Sequence, residues 1–121
     1  MVKISEAELE VMQVIWEKKK ATSFDIIEKL KQKKWSDNTV RTLIKRLYKK
    51  GAIDIVKKEG KTFTYAPKIK ETEYQKKEGK RFLETIFRGS IDDLVLNFVK
   101  EEKLSKERLE KLLEKIEKEG K

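Results

Sequence analysis

The chain has 121 residues, with 31 Lys or Arg against 22 Asp or Glu, a formal net charge of +9, and neither His nor Cys. The two missing residue types exclude imidazole acid–base catalysis, Ser–His and Cys–His nucleophile pairs, thiolate metal sites and disulfides. No apolar run exceeds three residues, so neither a transmembrane segment nor a signal peptide is predicted. We expect a small cytoplasmic protein that is not an enzyme and has no metal or cofactor.

The charge is divided unevenly along the chain. Residues 1–70 contain 18 Lys or Arg and 9 Asp or Glu, whereas residues 71–121 contain 13 of each. The whole positive excess therefore lies in the first part. A basic module joined to a neutral one predicts a part that binds a polyanion and a part with another task.

Hydrophobic periodicity predicts three helices in the basic part. Ser5, Thr22 and Ser36 each precede an apolar stripe with helical spacing, and we predict them as N-caps. Phe24 is expected on the apolar face of the second helix. The third helix, at about 36–50, carries the most basic face and stops at a glycine.

The period changes to two after the third helix. Apolar residues alternate at 53–56 and again at 63–65, with a polar turn at 58–61 between them and Pro67 after them. This pattern predicts a two-stranded hairpin, and the stretch 21–22 is a candidate for a third short strand. Three helices followed by a hairpin indicate a winged helix-turn-helix arrangement.

From about residue 70 the pattern is helical again, in three segments. We expect a mostly α fold with a small β-hairpin wing: a winged helix-turn-helix domain at 1–70 and a C-terminal helical dimerisation domain at 71–121. Monomers rarely expose apolar stripes of this size. Folding back on the basic domain or pairing with a second copy would cover them, and we favour pairing. The predicted dimerisation residues are Ile91, Leu94, Val95, Phe98, Val99, Leu109, Leu112, Leu113 and Ile116.

The exposed face of the third helix has side chains suited to a DNA duplex. Arg bonds guanine bidentately, Asn bonds adenine, and Thr contacts either a base edge or a thymine methyl. A Lys that contacts a phosphate fixes the position of the protein on the duplex, but it does not read the sequence. The candidates on this helix are Asn38, Thr39, Arg41, Thr42, Lys45, Arg46, Lys49 and Lys50, and those at the hairpin tip are Lys57, Lys58 and Lys61.

Arg41 and Arg46 are the first choices for reading bases, because Lys outnumbers Arg 26 to 5 in this chain. The alternative for any single Lys is that a good helix former simply occupies a solvated face. In a two-fold dimer, each copy would read one half of a pseudo-palindromic DNA site.

Three blocks of sequence resemble the penicillinase and methicillin-resistance repressor family (BlaI/MecI). They are ISEAELEVMQVIW at 4–16, WSDNTVRTLIKRLYKKG at 35–51 and SIDDLVLNFV at 90–99, and the resemblance extends over essentially the whole chain. It implies a homodimeric repressor that binds a palindromic operator upstream of beta-lactamase or related resistance genes. The DNA-contacting positions that it implies are Ser36, Asn38, Thr39, Arg41, Thr42 and Arg46.

The same resemblance implies a proteolytic switch. A membrane sensor-transducer would detect a beta-lactam, and the repressor would be cut between Asn97 and Phe98. Such a cut would remove half of the apolar stripe of the fifth helix, so an avidity of about 10²–10⁴ would be lost with no DNA contact altered. Alternatively, Asn97 is an ordinary polar residue at the edge of an interface.

Other functions stay open from the residues alone. A winged helix can serve as a protein-interaction adaptor, here for an acidic partner, or as a repressor of an unrelated operon without proteolytic induction. A hydrolase has no assembled site in its favour. The copper-responsive branch of the family carries a Cys-rich tail, and the lack of Cys excludes thiolate copper sensing in this chain.

Overall fold

A computed structural model describes residues 2–119, which divide into two compact units, one reaching Tyr74 and the other starting at Gln75. The elements are α1 (Glu6–Lys18), β1 (Ala21–Thr22), α2 (Ser23–Lys29), a 3₁₀ turn (Lys31–Lys33), α3 (Asp37–Lys49), β2 (Ile53–Glu59), β3 (Thr62–Pro67), α4 (Glu71–Phe87), α5 (Ile91–Lys100) and α6 (Lys106–Glu119). This order confirms the predicted fold class.

The first two helices begin where their capping residues predict. Glu8 N–H donates to Ser5 Oγ at 3.1 Å, and Ser5 N–H donates to Glu8 Oε1 at 2.9 Å. Thr22 and Asp25 make the same reciprocal pair, at 3.1 and 2.9 Å. Each pair satisfies two N–H groups that have no partner within the helix.

The three strands form one antiparallel sheet in the order β1-β3-β2. Ala21 pairs with Tyr65, which confirms the third short strand. The register between β2 and β3 shifts between Ile55 and Lys57, so the strand bulges there. The hairpin is longer than predicted, because the backbone ladder continues to Glu59 through charged residues that resemble a turn in sequence.

A single core holds the winged unit together. Its members are Val11, Met12, Val14, Ile15, Ala21, Ile26, Leu30, Val40, Leu43, Ile44, Leu47, Ala52 and Ile53. Trp16 and Trp35 pack against this cluster half-buried. The indole N–H of Trp16 also donates to the Ile69 carbonyl at 2.8 Å, which ties α1 to the chain that follows β3.

Phe24 departs from the sequence prediction. We expected it on the buried face of α2, but its side chain is 60% exposed. Ile26 and Leu30, four residues apart, fill the core side instead. A helix of seven residues has only one narrow buried stripe, and its apolar residues need not all lie on that stripe.

The second unit has regular helices without a buried interior. Ser90 caps α5 by accepting the N–H of Asp93 at 3.2 Å, and Ser105 accepts the N–H of Arg108 at 3.2 Å before α6. None of the described residues of these helices is buried. Large apolar side chains exposed here are Phe82, Ile86, Ile91, Leu96, Phe98, Leu112, Leu113 and Ile116. Among residues 2–119, no helix is long and apolar enough to cross a membrane.

Candidate nucleic-acid interface

Helix α3 separates its side chains cleanly into two faces. Val40, Leu43, Ile44 and Leu47 are buried in the core. All eight polar candidates of the helix are exposed, namely Asn38, Thr39, Arg41, Thr42, Lys45, Arg46, Lys49 and Lys50. The buried stripe fixes how the helix lies on the domain, so the opposite face is presented to solvent along its whole length.

The hydroxyl groups at the start of α3 have partners within the protein. Ser36 Oγ accepts the N–H of Thr39 at 3.1 Å and lies 2.9 Å from Thr39 Oγ1. Thr42 Oγ1 donates to the Asn38 carbonyl at 2.9 Å. Ser36 therefore serves as the N-cap, and Thr42 retains its acceptor lone pairs and its methyl group for other contacts.

The side chain of Arg41 contacts two residues of the neighbouring helix α2. Its Nη1 donates to Ser23 Oγ at 3.4 Å, and its guanidinium carbon lies 5.6 Å from the centroid of the Phe24 ring. Burial raises the pKa of the Tyr65 hydroxyl, and the positive charge of Arg41 acts against that increase. The contacts of Ser23 and Phe24 with Arg41 were not predicted from the sequence, because they depend on how α2 crosses α3.

Helix α3 and the hairpin line one groove of about 410 Å³. Arg41 and Lys45 reach it from α3, and Lys61 reaches it from the turn of the hairpin. Tyr48, Phe63, Tyr65 and two isoleucines supply apolar surface between these cations. The structure thus brings together helix and wing residues that the sequence indicated separately. Cations along an apolar groove suit the sugar-phosphate backbone of a nucleic acid.

The tip of the wing carries more Lys. Lys58 lies over Phe63, with its Nζ 5.7 Å from the ring centroid. Lys57 pairs with Glu59 at 2.6 Å, and this hydrogen bond raises the pKa of Lys57 and lowers that of Glu59. Lys57 thereby neutralises the one carboxylate next to the turn, so that the net positive charge of the tip rests on Lys58 and Lys61.

Lys50 differs from the other cations of α3. Its ammonium donates to the Lys3 carbonyl at 2.8 Å and to Glu8 Oε1 at 2.5 Å. Glu8 is only 2% exposed, so Lys50 neutralises a buried carboxylate. Burial alone would raise the pKa of Glu8, but the bonds from Lys50 and Ser5 outweigh burial and lower it. Lys50 and Glu8 are 42 residues apart, and sequence spacing gave no signal for this pair.

Lys45, Arg46 and Lys49 contrast with Lys50. Within residues 2–119, none of their side chains has an ion-pair or hydrogen-bond partner. These three cations therefore have no internal ion pair to break before they contact an external ligand.

The residues predicted for cleavage lie in α5. Asn97 and Phe98 are both exposed, and Phe98 is 39% exposed. Their carbonyls accept backbone N–H groups, at 3.1 Å from Glu101 and 3.0 Å from Lys103. The bond between them is thus part of an ordered helical backbone, and a protease would require local opening to reach it.

A three-helix core, a wing and a basic exposed third helix define a winged helix-turn-helix protein of the DNA-binding class. The profile of the penicillinase repressor family matches residues 4–118, and the chain belongs to this family. It is a family of transcriptional repressors and not of enzymes.

Two relatives show how closely the chain follows the family. It is 48% identical over 110 residues to the methicillin resistance regulatory protein MecI of Staphylococcus aureus, which covers 90% of this chain and 89% of MecI. It is 39% identical over 115 residues to the penicillinase repressor of Bacillus licheniformis, covering 94% and 89% respectively.

Solved structures match the winged part. The solution structure of the DNA-binding domain of the repressor BlaI superposes with a TM-score of 0.55 at 44% identity, covering 60% of this chain and 89% of that one. The monomeric form of Bacillus licheniformis BlaI in complex with the blaP half-operator gives 0.51 at 44% identity, covering 60% and 88%.

Proposed function

We propose that this chain is a homodimeric, sequence-specific DNA-binding repressor of a resistance-type, beta-lactamase-like operon. Residues 1–70 bind a palindromic operator, residues 71–121 dimerise, and cleavage in the dimerisation region ends repression. The observation that carries the proposal is the convergence of Arg41, Lys45 and Lys61 on one groove between α3 and the wing. Its ligand is double-stranded operator DNA, so we place the protein in the cytoplasm.

The roles of the DNA-binding residues follow from their surroundings. Arg41 and Arg46 read base edges, with Asn38, Thr39 and Thr42 beside them. Phosphate contacts come from Lys45 and Lys49 on α3 and from Lys58 and Lys61 on the wing. Ser36 contributes by capping α3, and Lys50 supports the fold under the helix through Glu8.

The unburied helices of the second unit support dimerisation. Phe98, Leu112, Leu113 and Ile116 are each at least 39% exposed in a single chain. A second copy would cover these side chains, and two-fold pairing uses the same patch on both partners. The half-operator bound by the monomeric form of BlaI fits the same plan, in which each copy of a dimer occupies one half of the site.

A protease that cuts between Asn97 and Phe98 would separate α6 and the end of α5 from the DNA-binding unit. The two winged units would then bind DNA independently, with loss of the avidity of about 10²–10⁴ that linkage provides. The names of the relatives, a methicillin resistance regulator and a penicillinase repressor, support a resistance operon as the target. The protease would be a membrane sensor-transducer, as the resemblance to the family implies.

Selection from a pool of duplexes with a randomised core tests the central claim. We expect the full chain to enrich a palindromic sequence, to bind it as a dimer in sedimentation, and to lose affinity steeply as salt increases. Enrichment of a non-palindromic sequence would contradict two-fold binding. Failure to bind any duplex at low salt would contradict the DNA-binding function and favour a protein-interaction adaptor.

A further inference from the structure

Phe24 is a large apolar side chain that the core of the winged unit leaves outside. It occupies the second position of α2, and its ring is 60% exposed, whereas Ile26 two residues later is fully buried. Single exposed apolar residues are common on protein surfaces, so exposure by itself assigns no role to Phe24.

The contact with Arg41 sets Phe24 apart. The guanidinium carbon lies 5.6 Å from the ring centroid, inside the range of a cation–π interaction. Ser23, the residue before Phe24, accepts a hydrogen bond from Nη1 of the same guanidinium at 3.4 Å. Two successive residues of α2 therefore hold one arginine of α3. Among residues 2–119, the guanidinium of Arg46 has no comparable hydrogen bond, ion pair or ring contact.

These contacts restrict the rotamers of Arg41 before it binds a base edge. An arginine that bonds a base edge loses side-chain rotamer freedom, and one already held against a ring loses less. Of the five N–H donors of the guanidinium, one is directed at Ser23, which leaves others available for a base edge. A bidentate contact to guanine uses two such in-plane donors.

We propose that Phe24 is a positioning residue for base reading by Arg41, and so a determinant of sequence specificity that lies outside α3. The proposal rests on the DNA-binding function argued above. It predicts that removal of the aromatic face weakens binding to the preferred duplex and leaves binding to unrelated duplexes unchanged.

The experiment uses the full chain and the duplex that it enriches from a randomised pool, with a scrambled duplex of equal length as control. We expect Phe24→Ala to lose about two- to fivefold in affinity for each half-site of the enriched duplex. Phe24→Leu keeps the apolar volume without the π face and should lose as much as Phe24→Ala. Phe24→Tyr should restore the wild-type ratio. The slope of affinity against salt should be the same in all variants, because no phosphate contact changes.

Double substitutions test whether the effect passes through Arg41. In an Arg41→Ala background, Phe24→Ala should cost nothing further, whereas in an Arg46→Ala background it should cost the full factor. Equal loss on both duplexes, an undiminished loss in the Arg41→Ala background, or tighter binding of the enriched duplex by Phe24→Ala would overturn the positioning role. If the wild-type chain enriches no duplex, the proposed DNA-binding function is wrong. If the wild type enriches a duplex and Phe24→Ala binds it as tightly as the wild type does, only the positioning role of Phe24 is wrong.

Discussion

The two units of this chain use amphipathic helices in opposite ways. In the winged unit, the apolar stripe of α3 is buried in a core shared with α1 and α2, and its charged face is the exposed one. In the second unit, no described residue of α5 or α6 is buried, and Ile91, Phe98, Leu112, Leu113 and Ile116 from their apolar stripes are exposed. Residues 1–70 carry the entire positive excess and residues 71–121 carry none. The comparison teaches that one unit is complete as a single chain, whereas the other needs a surface to pack against.

The largest expected effect comes from removal of α6 and the end of α5, which belong to the unit without a buried core. A chain without residues 98–121 should be a monomer with operator affinity reduced by about 10²–10⁴, because two linked binding events become independent. Sedimentation and titration of the enriched duplex measure the two parts of this prediction. The winged unit should still unfold cooperatively, and an unchanged dimer would show that the interface lies elsewhere.

A matched pair of leucines compares the two apolar faces directly. Leu47 is fully buried and Leu113 is 60% exposed. Leu47→Ala should cost the winged unit about 2–5 kcal/mol in free energy of unfolding. Leu113→Ala should change that value by less than about 0.5 kcal/mol while weakening the dimer. Denaturant unfolding and sedimentation give the two readouts. Equal destabilisation of the winged unit by both substitutions would show that its stability depends on both apolar faces.

Arg41→Ala examines the charged face of α3. A lost bidentate contact should cost about 1–3 kcal/mol on the enriched duplex, with little change on a scrambled one. Lys45→Ala is the matched control on the same groove and should weaken both duplexes alike. If Arg41→Ala weakens binding to the enriched and the scrambled duplex equally, as Lys45→Ala should, then Arg41 contacts phosphate and does not read a base.

Lys49 and Lys50 are neighbours in sequence with different expected roles. Lys49→Ala should reduce the slope of log affinity against log salt by about 1, as expected for one lost phosphate contact. Lys50→Met should leave that slope unchanged and reduce the free energy of unfolding by about 1–3 kcal/mol, because Glu8 loses its charged donor. If Lys50→Met instead lowers the salt slope and leaves the free energy of unfolding unchanged, Lys50 contacts DNA.

The smallest effect is a pH dependence of the winged unit. The pKa of Glu8 in the folded chain lies below its ordinary value of 4.5, so the unfolded chain binds this proton more readily. The carboxylate therefore contributes stability above about pH 4.5, and this contribution is lost as pH falls through the folded pKa. Unfolding of Glu8→Gln, followed from pH 3 to pH 6 (roughly the range of carboxyl titration), should show a shallower decline than that of the wild type. A parallel decline would mean that other carboxylates account for acid sensitivity.

The sequence predicted those features that depend on local order along the chain. Ser5 and Thr22 cap helices because their partners lie three residues away, and the wing follows from alternation. Contacts between distant elements were missed. The pairing of Lys50 with Glu8 and the contact of Phe24 with Arg41 both depend on how separate helices cross. Phe24 was also assigned to the wrong face, because a two-turn helix constrains its apolar residues weakly.

The positions of the two tryptophans give this chain a built-in optical label. Trp16, whose indole bonds the Ile69 carbonyl, and Trp35 are its only tryptophans, and both lie in the winged unit. Tryptophan fluorescence consequently reports on that unit alone, whereas far-ultraviolet circular dichroism averages over every helix. The two signals recorded in one titration separate the melting of the DNA-binding part from that of the helices beyond it, without any added dye.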